Sequence, residues 1–107
     1  MKIEFLPEAK YELDDAVDFY ELQVKGLGKT FKDIAKLTIK RVATFPTAWT
    51  EIKPSIRRCI MHKFPYNVLY SIEKDCILII AIAHHHRNPN HWTKRLEKSN
   101  TKLKKID

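Results

Sequence analysis

Ile3 and Phe5 alternate with polar neighbours, a period of two that predicts a short opening strand. Pro7 follows and suits the first turn of a helix, where its missing N–H is not needed. From there Ala9, Leu13, Ala16, Val17, Tyr20 and Val24 recur at helical spacing and predict one apolar face. Glu8, Glu12, Asp14, Asp15, Asp18 and Glu21 cover the remainder, and acids early in a helix suit its dipole. Gly26 and Gly28 interrupt the pattern around Leu27. A second helix is predicted beyond them, with Leu27, Phe31, Ile34, Ala35, Thr38 and Val42 inward and Lys29, Lys32, Lys36, Lys40 and Arg41 outward, until Pro46 ends it. Two helices joined by a short glycine turn make an antiparallel hairpin.

Residues 46–55 (PTAWTEIKPS) read as a loop or edge segment containing Trp49. Three strands are predicted after it, over Ile56–Phe64, Tyr66–Ile72 and Cys76–His84. Glu73, Lys74 and Asp75 make a tight hairpin between the last two, and Pro65 demands a bend or bulge between the first two. The order β-α-α-β-β-β predicts an α+β domain, with the helical hairpin packed on one face of a small, mainly antiparallel sheet. This single domain is expected to span residues 1–95. Residues 96–107 (LEKSNTKLKKID) are basic and barely periodic, and are expected to form a frayed short helix or a disordered tail.

At 107 residues the chain can bury a core without metal or disulfide staples. The charge of +7 is unevenly placed. Residues 1–24 hold seven acids against two bases, a net of −5, and residues 25–107 hold eighteen bases against six acids, a net of +12. Such a basic surface points to an anionic partner, either nucleic acid or an acidic protein segment, and equally describes ordinary solvated lysines. Cys59 and Cys76 fall within strands and read as small buried thiols of a reducing compartment rather than as a disulfide. The N-terminus has no signal pattern, and the longest apolar run, Cys76–Ala83, is too short to span a bilayer, so a cytoplasmic protein is expected.

The chemistry-bearing residues gather between Arg57 and Trp92. Arg57, Arg58 and Lys63 are candidates to hold phosphates by charge-assisted hydrogen bonds, or are charges that discourage edge pairing of an exposed strand. His84, His85 and His86 follow the most apolar strand. If the strand continued, His84 and His86 would point one way, giving at most two metal ligands, with a third needed from His62 or His91. No carboxylate or cysteine has ligand spacing beside them, so no metal and no cofactor is expected. One of these histidines with Arg87 is a candidate for acid/base or phosphate-contacting work; the alternative is structural capping of the strand end. Asn88, Pro89 and Asn90 form a turn signal that folds Trp92 back on the sheet, as a packing anchor or a base-stacking surface. No Gly-rich phosphate loop, nucleophile elbow or paired-carboxylate motif is present.

The runs RRCIMHKFPYNVLYSI, CILIIAIA and HHHRNPNHWTKR together resemble the RelE/ParE superfamily of toxins from type II toxin–antitoxin modules, over Ile3 to about Arg95. The resemblance implies a small growth-inhibiting toxin, of plasmid-stabilisation type, neutralised by an antitoxin that covers its working surface in a hetero-oligomer. It also implies one of two activities. ParE-like members poison DNA gyrase without being nucleases; RelE-like members cleave mRNA on the ribosome. Against the RelE pattern, Asn67 stands where an arginine is expected and Trp92 where a tyrosine is expected, while Arg87 matches the arginine after the last strand. The ParE-like branch is therefore favoured, with Arg57, Arg58, Lys63, Arg87 and Trp92 as target-binding residues. In the RelE-like alternative His84, His86 and Arg87 would be catalytic. A third reading is a non-toxic interaction partner or co-repressor.

Overall fold

In the computed structural model, residues 1–88 and 90–95 are described. The sequence opens with β1 (Lys2–Phe5) and continues as α1 (Pro7–Gln23) and α2 (Leu27–Thr44). Four further strands follow: β2 (Thr50–Lys53), β3 (Ile56–Ile60), β4 (Tyr66–Ile72) and β5 (Cys76–His84). The sheet order is β1-β5-β4-β3-β2, with β1 parallel to β5 and every other pair antiparallel. The chain is thus α+β, a helical hairpin on a mostly antiparallel sheet, as its pattern predicts. The expected tail at 96–107 lies outside the described residues.

The structure departs from the sequence pattern in three places. The segment holding Trp49 contributes a fifth strand, β2, at the sheet edge. The strand expected to run from Ile56 to Phe64 stops at Ile60, because Lys63 adopts the left-handed conformation (φ 73°) and turns the chain before Pro65. In that turn Met61 N–H donates to Tyr66 O and Tyr66 N–H to Phe64 O. Val24, placed on the apolar face by spacing, is exposed at the C-cap of α1, beyond the reach of the core.

Two apolar clusters lie on opposite faces of the sheet. The larger joins Leu13 and Ala16 of α1 and Phe31, Ala35 and Val42 of α2 to Cys59, Val68, Tyr70, Ile77, Ile79 and Ile82. The smaller contains Ile56, Leu69, Leu78, Ile80, Ala81, Ala83 and Trp92. Burying both faces explains why β5 is apolar throughout rather than alternating. Each fully buried isoleucine there contributes about 1.5–3 kcal/mol. The register shifts where Leu69 faces Ala81 and Tyr70 faces Ile79, so Ile80 is the extra residue of a bulge. Consequently Ile80 and Ala81 both face the smaller cluster, and the alternation resumes with Ile82 on the helix side.

Candidate target-binding site

β1 ends at Phe5, opposite Ile79, so the second half of β5 has no neighbouring strand on that side. Side chains take over its hydrogen bonding. The Glu12 carboxylate accepts the Ile82 N–H at 3.1 Å, and Arg95 donates to the Ile80 carbonyl at 3.3 Å. Glu12 and Arg95 also pair in two contacts of 2.7 and 2.9 Å. The hydrogen bonds from Arg95 to Glu12 hold the guanidinium pKa above its usual value. His91 adds its Nε2 at 3.5 Å from the same carboxylate, and its Nδ1 lies 2.7 Å from the Asn88 carbonyl. This knot closes the sheet edge and fixes the segment that carries Trp92. The indole is only 3% exposed, packs on the sheet face away from the helices, and has the Lys53 ammonium 5.4 Å from its ring centre.

Beside Trp92 a hollow of about 130 Å³ opens on that face, lined by Arg58, Asn67, His85 and Arg87 among others. The strand register explains the grouping, since Arg58 faces Leu69, Leu69 faces Ala81, and Asn67 faces Ala83. Arg58 and Arg87 are exposed, whereas the Asn67 Oδ1 is buried without a hydrogen-bond partner. A second hollow of about 330 Å³ lies on the helix side, lined by Glu12, Asp15, Phe19, Tyr66, His84 and Arg87. His84 and Arg87 border both hollows, flanking the point where β5 leaves the core.

Other candidates from the sequence are placed differently. Arg57 is half-buried and donates to the Trp49 carbonyl at 2.7 Å, with Glu51 at 3.6 Å. Its guanidinium ties β3 to the segment entering β2. Lys63 sits on the β3–β4 turn and does not line either hollow. The strand ends at His84, yet His86 stays close, its N–H donating to His84 Nδ1 at 3.1 Å and the two rings 5.2 Å apart. His84 also meets the Tyr66 ring edge-on. Among the described residues, no three His, Cys, Asp or Glu side chains gather as a metal site. Neither Glu12 nor Arg95 is among the candidate site residues that the sequence singles out. The signal was present for Glu12, since Ala9, Glu12, Leu13 and Ala16 share the helix face that meets the sheet, and a carboxylate there needs a partner.

Fold and site together define a small basic α+β protein whose cationic site lies where its most buried strand ends. The model of a family described as the ParE toxin of the type II toxin–antitoxin system, parDE, matches residues 3–89, and the chain belongs to that family. The solved structure titled "Chromosomal ParDE TA system from P. aeruginosa" is similar in fold, with a TM-score of 0.60 at 14% identity, covering 78% of this chain and 95% of that one. No curated protein matches the chain. Among the described residues, no helix is long and apolar enough to cross a membrane.

Proposed function

We propose that this toxin acts in the cytoplasm by binding and poisoning DNA gyrase, and that a cognate antitoxin neutralises it in a hetero-oligomeric complex. The observation that carries the reading is the family match over residues 3–89, which takes in both helices and the sheet up to the end of β5. The site's chemistry agrees with binding rather than cleavage. A nuclease needs an acid and a base poised around one phosphate. Here His84 and His91 are engaged by local partners, Trp92 is buried, and Asn67 offers no charge. Arg58 and Arg87, both exposed and bordering one hollow, are free to meet an anionic surface at this site. Expression of the chain is expected to cause filamentation and DNA-damage signalling while translation continues. Abrupt loss of translation, with mRNA cut at ribosome-bound codons, would overturn the proposal.

A second reading, a ribosome-dependent mRNA endonuclease, draws on one observation. Arg58, His85 and Arg87 surround the same hollow, an arrangement able to receive a phosphate. In that case Arg87→Ala would abolish mRNA cleavage on programmed ribosomes with the fold intact. Uncut mRNA in the presence of the unaltered protein would eliminate it.

A further inference from the structure

The end of β5 and the segment beyond it hold two histidines in opposite chemical settings. His91 Nδ1 lies 2.7 Å from the Asn88 carbonyl. A carbonyl can only accept, so this nitrogen carries a proton. Nε2 of the same ring lies 3.5 Å from Glu12 Oε2, is buried, and has no hydrogen-bond partner among the described residues. Both ring nitrogens thus face acceptors, whereas a neutral imidazole has one N–H to give. Glu12 cannot supply the missing proton. Its two oxygens already accept from Arg95 at 2.7 and 2.9 Å, and one of them also accepts the Ile82 N–H at 3.1 Å.

Only the imidazolium satisfies this arrangement. The neutral ring buries a bare nitrogen against a carboxylate, and with the two side chains 12% and 15% exposed, water screens little of that repulsion. Other charges around His91 come from several elements. α1 adds Glu8, which acts on Arg95 together with Glu12. β2 adds Lys53, 3.2 Å from Asn90 Oδ1. β3 adds Arg58, and the end of β5 adds His84, His85 and Arg87, all lining the hollow that His91 lines. These cations oppose a further positive charge, but Arg58 and Arg87 are exposed to screening water while Glu12 is in near contact. His84 is set the other way. Its Nδ1 accepts the His86 N–H at 3.1 Å, a contact that requires the neutral ring.

From the two facing acceptors, the buried Nε2 and the shared carboxylate, we propose that His91 is a proton-operated latch on the segment that carries Trp92. Charged, it donates to the Asn88 carbonyl and to Glu12 at once and pins residues 90–95 against the sheet. Deprotonated, it turns a bare nitrogen toward Glu12, and the segment loosens where it borders the hollow between Arg58 and Arg87. A histidine whose charged form gains a partner on folding adds stability that is complete below the ordinary imidazole range and is lost as pH rises above it. Mild alkalinity is therefore the loosening condition. The latch does not depend on whether the target is gyrase.

The test records nitrogen–proton spectra of the imidazoles in the full chain across the ordinary histidine range, centred at about pH 6.5. As pH rises, His91 should keep protons on both ring nitrogens after the exposed His62 has become neutral. Loss of the Nε2 proton from His91 together with His62, or before it, would overturn the proposal. That measurement needs no variant, so it stands even if a substitution disturbs the fold. Hydrogen exchange of the Ile82 amide, corrected for its intrinsic pH dependence, supplies the second readout. Its protection should fall roughly tenfold from the acid to the alkaline side of that range, the effect of one charged hydrogen bond lost. In His91→Gln, which cannot take up the proton, protection should stay level. An equal fall in His91→Gln would contradict the latch. A purely structural His91 would lower protection in the variant at every pH and leave the parent level, which would contradict it as well.

Discussion

A Cβ added at Gly28 would lie 2.6 Å from the Val17 carbonyl and 2.9 Å from the Glu21 Cβ, so only a hydrogen fits where the two helices cross. Gly28→Ala is expected to lower stability by about 1–3 kcal/mol, the range for overpacking a closed contact, read as a lower melting temperature. Gly26 differs, with open space around it but a φ of 87°, so Gly26→Ala should cost only about 1 kcal/mol. Glu21 completes this turn by accepting the Gly26 and Gly28 N–H groups at 3.0–3.1 Å. Cys59 is legible in the sequence as a buried thiol, and burial raises its pKa to about 11. The folded state therefore holds the thiol proton more tightly than the unfolded chain does. That contribution is complete below the ordinary thiol pKa of 9.0 and is lost as pH rises toward about 11. Denaturant melts across that window should show falling stability, less steeply in Cys59→Ala. In native protein at pH 8, alkylating reagents should modify the half-buried Cys76 before Cys59. A disulfide between them is out of reach. Cys59 lies opposite Val68 and Val68 opposite Ile82, so Cys76 is displaced by six residues of β5, roughly 20 Å along the strand.

The helices and the strands β4 and β5 were legible because each carries a sustained period, 3.6 in the hairpin and an unbroken apolar run in β5. β2 was not, since four residues with Ile52 as their one half-buried position make no period, and pairing with β3 defines the strand. The closure of β5 by Glu12 and Arg95 was hidden for another reason. The partners stand 83 residues apart, and only the fold brings them together. A double-mutant cycle with Glu12→Ala and Arg95→Ala should give a coupling energy of about 1–3 kcal/mol, as for a hydrogen-bonded pair with little exposure. Glu12→Ala alone should be the more damaging single change, because it also orphans the Ile82 N–H. A coupling near zero would show that the pair does not hold this edge together.

Across the whole molecule, the fold separates two basic surfaces, the lysine row on α2 and the arginines beside Trp92. The site region itself was visible from the sequence as the exit of the most apolar strand, but the division of labour within it was not. Arg57 and Arg58 are neighbours with the same charge, yet strand alternation and the β2 segment turn one into a backbone tie and leave the other exposed. Arg57→Ala is accordingly expected to lower the melting temperature by several degrees, about 1–2 kcal/mol for a charged donor lost from the half-buried Trp49 carbonyl. Arg58→Ala and Arg87→Ala should leave the melting curve unchanged and reduce toxicity. The most direct test of the account is a supercoiling assay with purified gyrase, relaxed plasmid and the purified chain, run beside an mRNA-cleavage assay on programmed ribosomes. Inhibited supercoiling with accumulation of gyrase-cleaved DNA, weakened by Arg58→Ala and Arg87→Ala, and with mRNA left whole, is the predicted result. Undisturbed gyrase together with mRNA cut in the ribosome would contradict it.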